Sequence, residues 1–280
     1  MTTMTSAAAG PLVAGKVPAM IRWRAFAALL ARDLTVLRTQ PAEFIVRTLV
    51  QPLFFLFVLG YVSPRITAGA SGGAGASEVA TTLLAGMLAI VVLFQGIFVV
   101  AMPLVTELGF TGEIEDRVLS PLPTSLVALA KVISGAAQGL FAALVVFPLA
   151  YFIPAAHPVL ALHPAVLLTL APLAALMCAS FGLFFGTVLN PQVVMALFAV
   201  LVTPLIWLGA VFFPWTALQV IPWVRDVSLA VPLTYVSEGF RAALTPAPHL
   251  SLLVIYPVLA GFTAALLWSG MRFFRRRVVG

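Results

Sequence analysis

The 280 residues carry 62% hydrophobic side chains and only 9% charged ones, with a mean hydropathy of +1.13. No soluble globule hides that much apolar surface, so the composition implies an integral membrane protein. The net charge of +6 does not point to nucleic acid as a partner, because the bases gather at the ends of apolar runs instead of interleaving with exposed aromatics.

Residues 1–17 are rich in Thr, Ala, Gly and Ser and form an expected disordered tail without the charge-then-apolar order of a cleaved signal. Gly10 to Lys16 spells GPLVAGK, most of a phosphate-binding loop. Val17 stands where Ser or Thr would hold magnesium and no buried strand precedes it, so the match is fortuitous. Over 18–38, Trp23, Phe26, Leu30, Leu34 and Leu37 recur at helical spacing, with Arg24, Arg32 and Arg38 largely opposite. This pattern predicts an amphipathic helix on the membrane surface, drawn to anionic lipid.

The first predicted span is 44–62, with Glu43 and Arg47 paired at its entrance and Gln51-Pro52 inside it. A Gly/Ala/Ser loop follows over 64–78; its GASGG at Gly69 to Gly73 fits a serine-nucleophile pattern but lacks the strand-to-helix elbow, and reads as linker. The second span is predicted at 81–105 and the third at 126–153, where Lys131 is close enough to the entrance to snorkel.

Between them lies the polar stretch Thr106 to Ser125, which concentrates Glu107, Glu113, Glu115, Asp116 and Arg117 in a chain otherwise built for lipid. Its middle reads as a short helix: Thr111 or Gly112 can cap it, acids occupy the first turn, Glu113 and Arg117 form an i,i+4 pair, and Ser120-Pro121 ends it. Ile114 and Val118 add a small apolar edge, as a surface that touches another protein requires.

The fourth span is predicted at 165–189 and the fifth at 192–209, joined by a tight turn at Asn190-Pro191. Gly135 with Gly139, and Gly182 with Gly186, stand four apart and allow close helix approach in lipid; Cys178 is a small packing residue with no disulfide or metal partner. Residues 210–249 are broken by Pro214, Pro222, Pro232, Pro246 and Pro248 and read as short amphipathic helices at, or dipping into, the outer leaflet. Trp215 and Trp223 suit an interface, and Arg225-Asp226 and Glu238 with Arg241 can pair locally. The last span is predicted at 250–271, followed by a basic tail, 272–280. With six spans, Lys16, Arg22, Arg24, Arg32, Arg38, Arg47, Arg117, Lys131, Arg272, Arg275, Arg276 and Arg277 share one side against Arg65, Arg225 and Arg241 on the other. Both termini are therefore expected in the cytoplasm of a plasma-membrane protein.

Three stretches carry a family resemblance: QPLFFLFVLGYVSP at Gln51 to Pro64, EIEDRVLSPLP at Glu113 to Pro123, and PLTYVSEGFR at Pro232 to Arg241. Across residues 20–277 the chain resembles the permease of type-two ATP-binding-cassette exporters, in the branch that includes daunorubicin-type antibiotic exporters. The resemblance implies that Glu113, Ile114, Glu115, Asp116, Arg117, Val118 and Leu119 form a coupling helix seated in a separate ATPase subunit, present in two copies, and that a second permease copy or a related permease completes the transporter. Thr111-Gly112 reverses the Gly-Thr that many members carry before the glutamate. No cofactor is expected on this chain; ATP and Mg2+ would belong to the partner.

For cargo, Phe94, Phe98, Phe141, Phe147 and Phe152 offer an apolar path, although packing is the commoner use of phenylalanine in a span. A drug or lipid fits this best, with polysaccharide or glycolipid as the family's alternative. An intramembrane hydrolase or lipid-modifying enzyme would need ionisable groups facing one another in the bilayer, and His157, His163 and His249 all fall in outer loops. A purely structural membrane subunit leaves the charged helix without a purpose.

Overall fold

The computed structural model describes residues 19–39, 50, 53–54, 56–62, 76–107, 123–152, 158–189 and 194–279, and among these it is helical with no strand. The helices are α1 (Ala19–Thr39), α2 (Ala76–Thr106), α3 (Thr124–Phe152), α4 (Pro164–Val188), α5 (Val194–Leu208), α6 (Pro222–Leu229), α7 (Pro232–Leu244) and α8 (Leu252–Val279). A π-helical stretch covers Leu56–Val62 and a 3-10 turn covers Trp215–Val220. Four helices, α2, α3, α4 and α8, are long and apolar enough to cross a membrane. The other two predicted spans, 44–62 and 192–209, are described only in part, the second by the 15 residues of α5.

Two boundaries differ from the sequence reading for a physical reason. Helix α2 begins five residues before the predicted span, at Ala76, because Ser77 and Glu78 sit well in a helical first turn although they are too polar for lipid. Helix α8 runs on to Val279 through the arginines read as a tail, since Arg is a good helix former and cations near a helix C-terminus are favoured by its dipole. The P-loop-like stretch, the GASGG loop, the Glu43/Arg47 pair and Asn190-Pro191 lie outside the described residues.

Helix α2 is the central element: it packs on α3, α4 and α7, and its stretch from Ala80 to Leu93 is buried throughout. A helix apolar on every face has no orientation preference of its own in lipid, so close packing must fix it. The α2–α4 contact supplies this. A Cβ on Gly182 would lie 2.5 Å from the Gly96 carbonyl oxygen, and one on Gly96 would lie 2.7 Å from the Cys178 carbonyl carbon. One turn on, Gly186 faces Ala101 at 2.9 Å, and from α3 Gly135 faces the Val100 side chain at 2.4 Å. Gly139 makes only ordinary contacts. Of the four glycines read as packing positions, Gly182 and Gly186 let backbones meet and Gly135 makes room for the Val100 side chain. Helix α8 closes the other side of α4 and α7, while α1 rests on α3 through the buried Phe26. Arg24 and Arg32 of α1 are exposed, and so is Trp23.

The helices define two ends. One gathers Glu107, Lys131, the C-terminus of α4 and Arg277, whose guanidinium donates to the Leu189 and Val188 carbonyls at 3.2 and 3.4 Å. The other holds the connection 158–163 and everything from Gly209 to Ser251. There the Val159 N–H donates to Thr81 Oγ1 at 2.8 Å, and the Ala161 and His163 N–H groups donate to Leu244 and Ala243.

Gly182→Val should push α2 from α4 and cost about 1–3 kcal/mol, typical of overpacking, read as a lower thermal midpoint in detergent. Gly261→Ala, whose added Cβ meets nothing within 4 Å, should leave the midpoint unchanged.

Candidate functional site

The residues expected to touch a partner, Glu113, Ile114, Glu115, Asp116, Arg117, Val118 and Leu119, lie outside the described residues. The structure does give the base of that segment. Glu107, just past the end of α2, and Lys131, in the second turn of α3, form an ion pair at 2.9 Å, with side chains 12% and 15% exposed. Lys131 thus does more than snorkel: a cation at this depth takes the nearest carboxylate, and the pair ties together the two helix ends between which the polar segment runs.

The five phenylalanines divide between the packed interior and the outer surface of the bundle. Phe94 and Phe98 stack within α2 at 5.7 Å between ring centroids, and Phe94 and Phe147 pack against the core. Phe141 and Phe152 lie on the outer surface of α3, with Phe152 edge-on to Tyr151 at 5.0 Å. His163 and His249 are exposed at the proline-rich end, and His249 Nδ1 is 2.8 Å from the Leu250 carbonyl oxygen. His157 is outside the described residues. Among the described residues no cluster of His, Cys, Asp and Glu could hold a metal ion.

The densest polar chemistry lies at the proline-rich end. Helix α7, in the region expected to lie at or dip into the outer leaflet, has all thirteen of its residues buried, inserted against α2, α4 and α8. Pro232 starts it at a position where a missing N–H costs nothing, and Val231 precedes it in extended conformation. Glu238 and Arg241, one turn apart, are both 0% exposed and hydrogen-bonded to each other, Arg241 Nη1 donating to Glu238 Oε1. Glu238 Oε1 also accepts the Trp215 N–H, and Oε2 accepts the Leu250 N–H, each at 2.8 Å. Arg241 Nη2 donates to the Ala210 carbonyl at 3.2 Å. The pair thus binds the turn after α5, the start of the 3-10 helix and the entrance of α8.

Smaller bonds complete this bracket. Ser237 Oγ donates to the Gly209 carbonyl at 2.7 Å, Thr234 Oγ1 to Ser228 at 2.6 Å, and Tyr235 Oη to Leu229 at 2.8 Å. Ala210 holds a left-handed φ of 50°, a strained backbone for a residue with a Cβ, and its carbonyl is the one that Arg241 grips. The adjoining Val211 carbonyl comes so close to Gly86 of α2 that any Cβ there would lie 2.0 Å away. Burial pushes the Arg241 guanidinium down from its ordinary value, and the neighbouring Glu238 charge opposes that shift. Nearby, Arg225 pairs with Asp226 at 3.1 Å and lies 5.8 Å from the Trp215 ring centroid. Both local ion pairs expected from the sequence, Arg225 with Asp226 and Glu238 with Arg241, are present. Thr234, Ser237, Glu238 and Arg241 share one polar face of α7, and the structure turns that face onto the chain breaks around Gly209, Trp215 and Leu250 instead of onto water.

Glu238→Gln keeps the shape and leaves Arg241 buried without its counter-charge, which should cost about 3–5 kcal/mol in thermal unfolding in detergent. Glu238→Gln combined with Arg241→Met removes the orphaned charge and should recover more than half of that loss.

A family model described as ABC-2 type transporter matches residues 24–245, from within α1 to just past the end of α7. The inner membrane transport permease YadH of Escherichia coli K12 is 28% identical over 168 residues, covering 57% of this chain and 62% of that protein. The protein of the same name from Shigella flexneri matches to the same extent. The match thus spans less than two thirds of these relatives' length. The family match takes in α2, α3 and α4, the Glu238–Arg241 pair and the polar segment between α2 and α3, in an all-α membrane protein whose described residues include four helices long and apolar enough to cross a membrane. This chain belongs to the ABC-2 type transporter family.

Proposed function

We propose that the chain is the membrane subunit of an ATP-driven exporter, moving a hydrophobic or amphipathic molecule, a drug or a lipid, out across the plasma membrane. The observation that carries this reading is the family match over residues 24–245, which includes the polar segment. Energy then comes from a separate ATPase present in two copies, bound through Glu113 to Leu119, with a second permease copy or a related permease completing the complex. ATP and Mg2+ belong to that ATPase.

In this reading ATP binding draws the two ATPase subunits together, and the coupling segments transmit the motion to the helix bundles, which alternate between inward-facing and outward-facing or occluded forms. The Glu107–Lys131 pair at the base of the segment suits such transmission, since it joins α2 and α3 where the force would enter. Both termini and the polar segment face the cytoplasm, in keeping with the bases gathered at that end. The cargo class rests on what the spans lack. From Val79 to the end of α2, throughout α4 and α5, and up to Arg272 in α8 there is no acid or base, so no side-chain relay for protons or ions runs through them. Phe94, Phe98, Phe141, Phe147 and Phe152 remain the proposed apolar path, with Phe141 and Phe152 placed where a second permease could cover them.

Ile114→Asp puts a charge on the apolar edge of the docking segment. It should abolish ATP-driven transport of a lipophilic fluorescent dye such as Hoechst 33342 in membrane vesicles, with the protein still in the membrane at wild-type level. Normal transport by the inserted variant would refute the docking role.

A further inference from the structure

The lipid-facing side of α8 near the basic end carries a cluster that the transport reading leaves unused. Arg272 stands four residues after Trp268, and Arg275 and Arg276 stand three and four after Arg272, so the four form one stripe down the helix. Gly270 and Phe274, on the opposite side, are buried against the bundle. Arg277, though exposed, turns toward α4 and donates to the Leu189 and Val188 carbonyls at its end. The helix thus separates its arginines: one caps a neighbour, and three face away from the protein.

Trp268 is 65% exposed, and Arg272, Arg275 and Arg276 are exposed as well. The Arg272 guanidinium carbon lies 5.5 Å from the centroid of the Trp268 ring, a cation–π contact that holds one guanidinium at a fixed depth. That depth is informative. From Leu252 to Arg272 a helix rises about 30 Å, the thickness of the hydrocarbon core, so the Trp268–Arg272 pair sits where headgroups begin. Above it the same face carries Pro257, Ala260, Gly261, Ala264 and Ala265, all exposed on a surface too low to fill the space of an acyl chain.

We propose that this stripe is a binding site for an anionic phospholipid, its phosphate held by Arg272, Arg275 and Arg276 and its acyl chain laid along the low face above Trp268. A second copy of the chain is the other conceivable cover. In a two-fold contact, however, the stripe would meet itself and set three guanidinia against three, whereas an anionic headgroup supplies the opposite sign.

The test uses the full-length protein in nanodiscs of phosphatidylcholine with and without phosphatidylglycerol, read by thermal midpoint and by lipid retention in native mass spectrometry. Phosphatidylglycerol should raise the wild-type midpoint and be retained in preference. Each of Arg272→Gln, Arg275→Gln and Arg276→Gln should weaken that retention about fivefold, and the triple variant should lose the midpoint rise while keeping the phosphatidylcholine value. Arg277→Gln should leave the lipid preference intact, which separates the stripe from basic charge in general. An unchanged preference in the triple variant, or equal loss with Arg277→Gln, would overturn the proposal. So would a midpoint rise reproduced by inorganic phosphate in phosphatidylcholine alone, which would mean a free-anion site. A triple variant that loses its oligomeric state but keeps its lipid preference would overturn it too, by assigning the stripe to a second copy.

Discussion

A carboxylate enclosed in a membrane protein is tolerable only when its lone pairs find donors, and Glu238 meets that condition by drawing separate pieces of chain onto itself. Arg241 comes from its own helix, the Trp215 N–H from the 3-10 turn, and the Leu250 N–H from the entrance of α8. Arg241 in turn grips the Ala210 carbonyl after α5. Each of these backbone groups lies at a break in helical structure, where no helical partner was available to it. The charge pair therefore settles two problems together: its own desolvation and the loose ends of the proline-rich region. This explains how a segment with so many prolines can be enclosed, with α7 buried on all sides.

The bundle around it is held differently. Apolar helices gain little by meeting one another in lipid, so what joins α2 to α4 is shape: Gly96 against Cys178, Gly182 against the Gly96 carbonyl, and Gly186 against Ala101. Dispersion across this closely fitted seam fixes α2, and α2 carries the effect to both ends. At one, Gly86 admits the Val211 carbonyl of the strained turn. At the other, Glu107 reaches Lys131 and fixes where the polar segment leaves the bundle. A displacement entering at that segment would meet a stiff helix seated on the Glu238 bracket.

Much of this was legible in the sequence, and the reasons differ by feature. Long apolar runs bounded by bases identify membrane helices, because the bilayer fixes their length and composition. The glycine pairs could be read because four-residue spacing puts them on one face. Pairing between distant residues could not: nothing local tells Glu238 that Leu250 and Trp215 will donate to it, or Lys131 that Glu107 will lie beside it. Amphipathicity alone left open whether α7 lies at the surface or dips inward; its polar face is satisfied internally, by chain breaks distant in sequence. The ends of α2 and α8 exceed the apolar runs because helical hydrogen bonding continues into water after hydrophobicity has stopped.

The division of labour proposed for this family member is that the chain supplies a path through the membrane and another protein supplies the energy. The most direct measurement is purification of the tagged full-length chain in mild detergent, with mass spectrometry of whatever accompanies it. A soluble companion with an intact phosphate-binding loop is the predicted result, and any second permease in the sample would set the composition of the pair. A chain that repeatedly comes down alone, folded and stable, would contradict the reading.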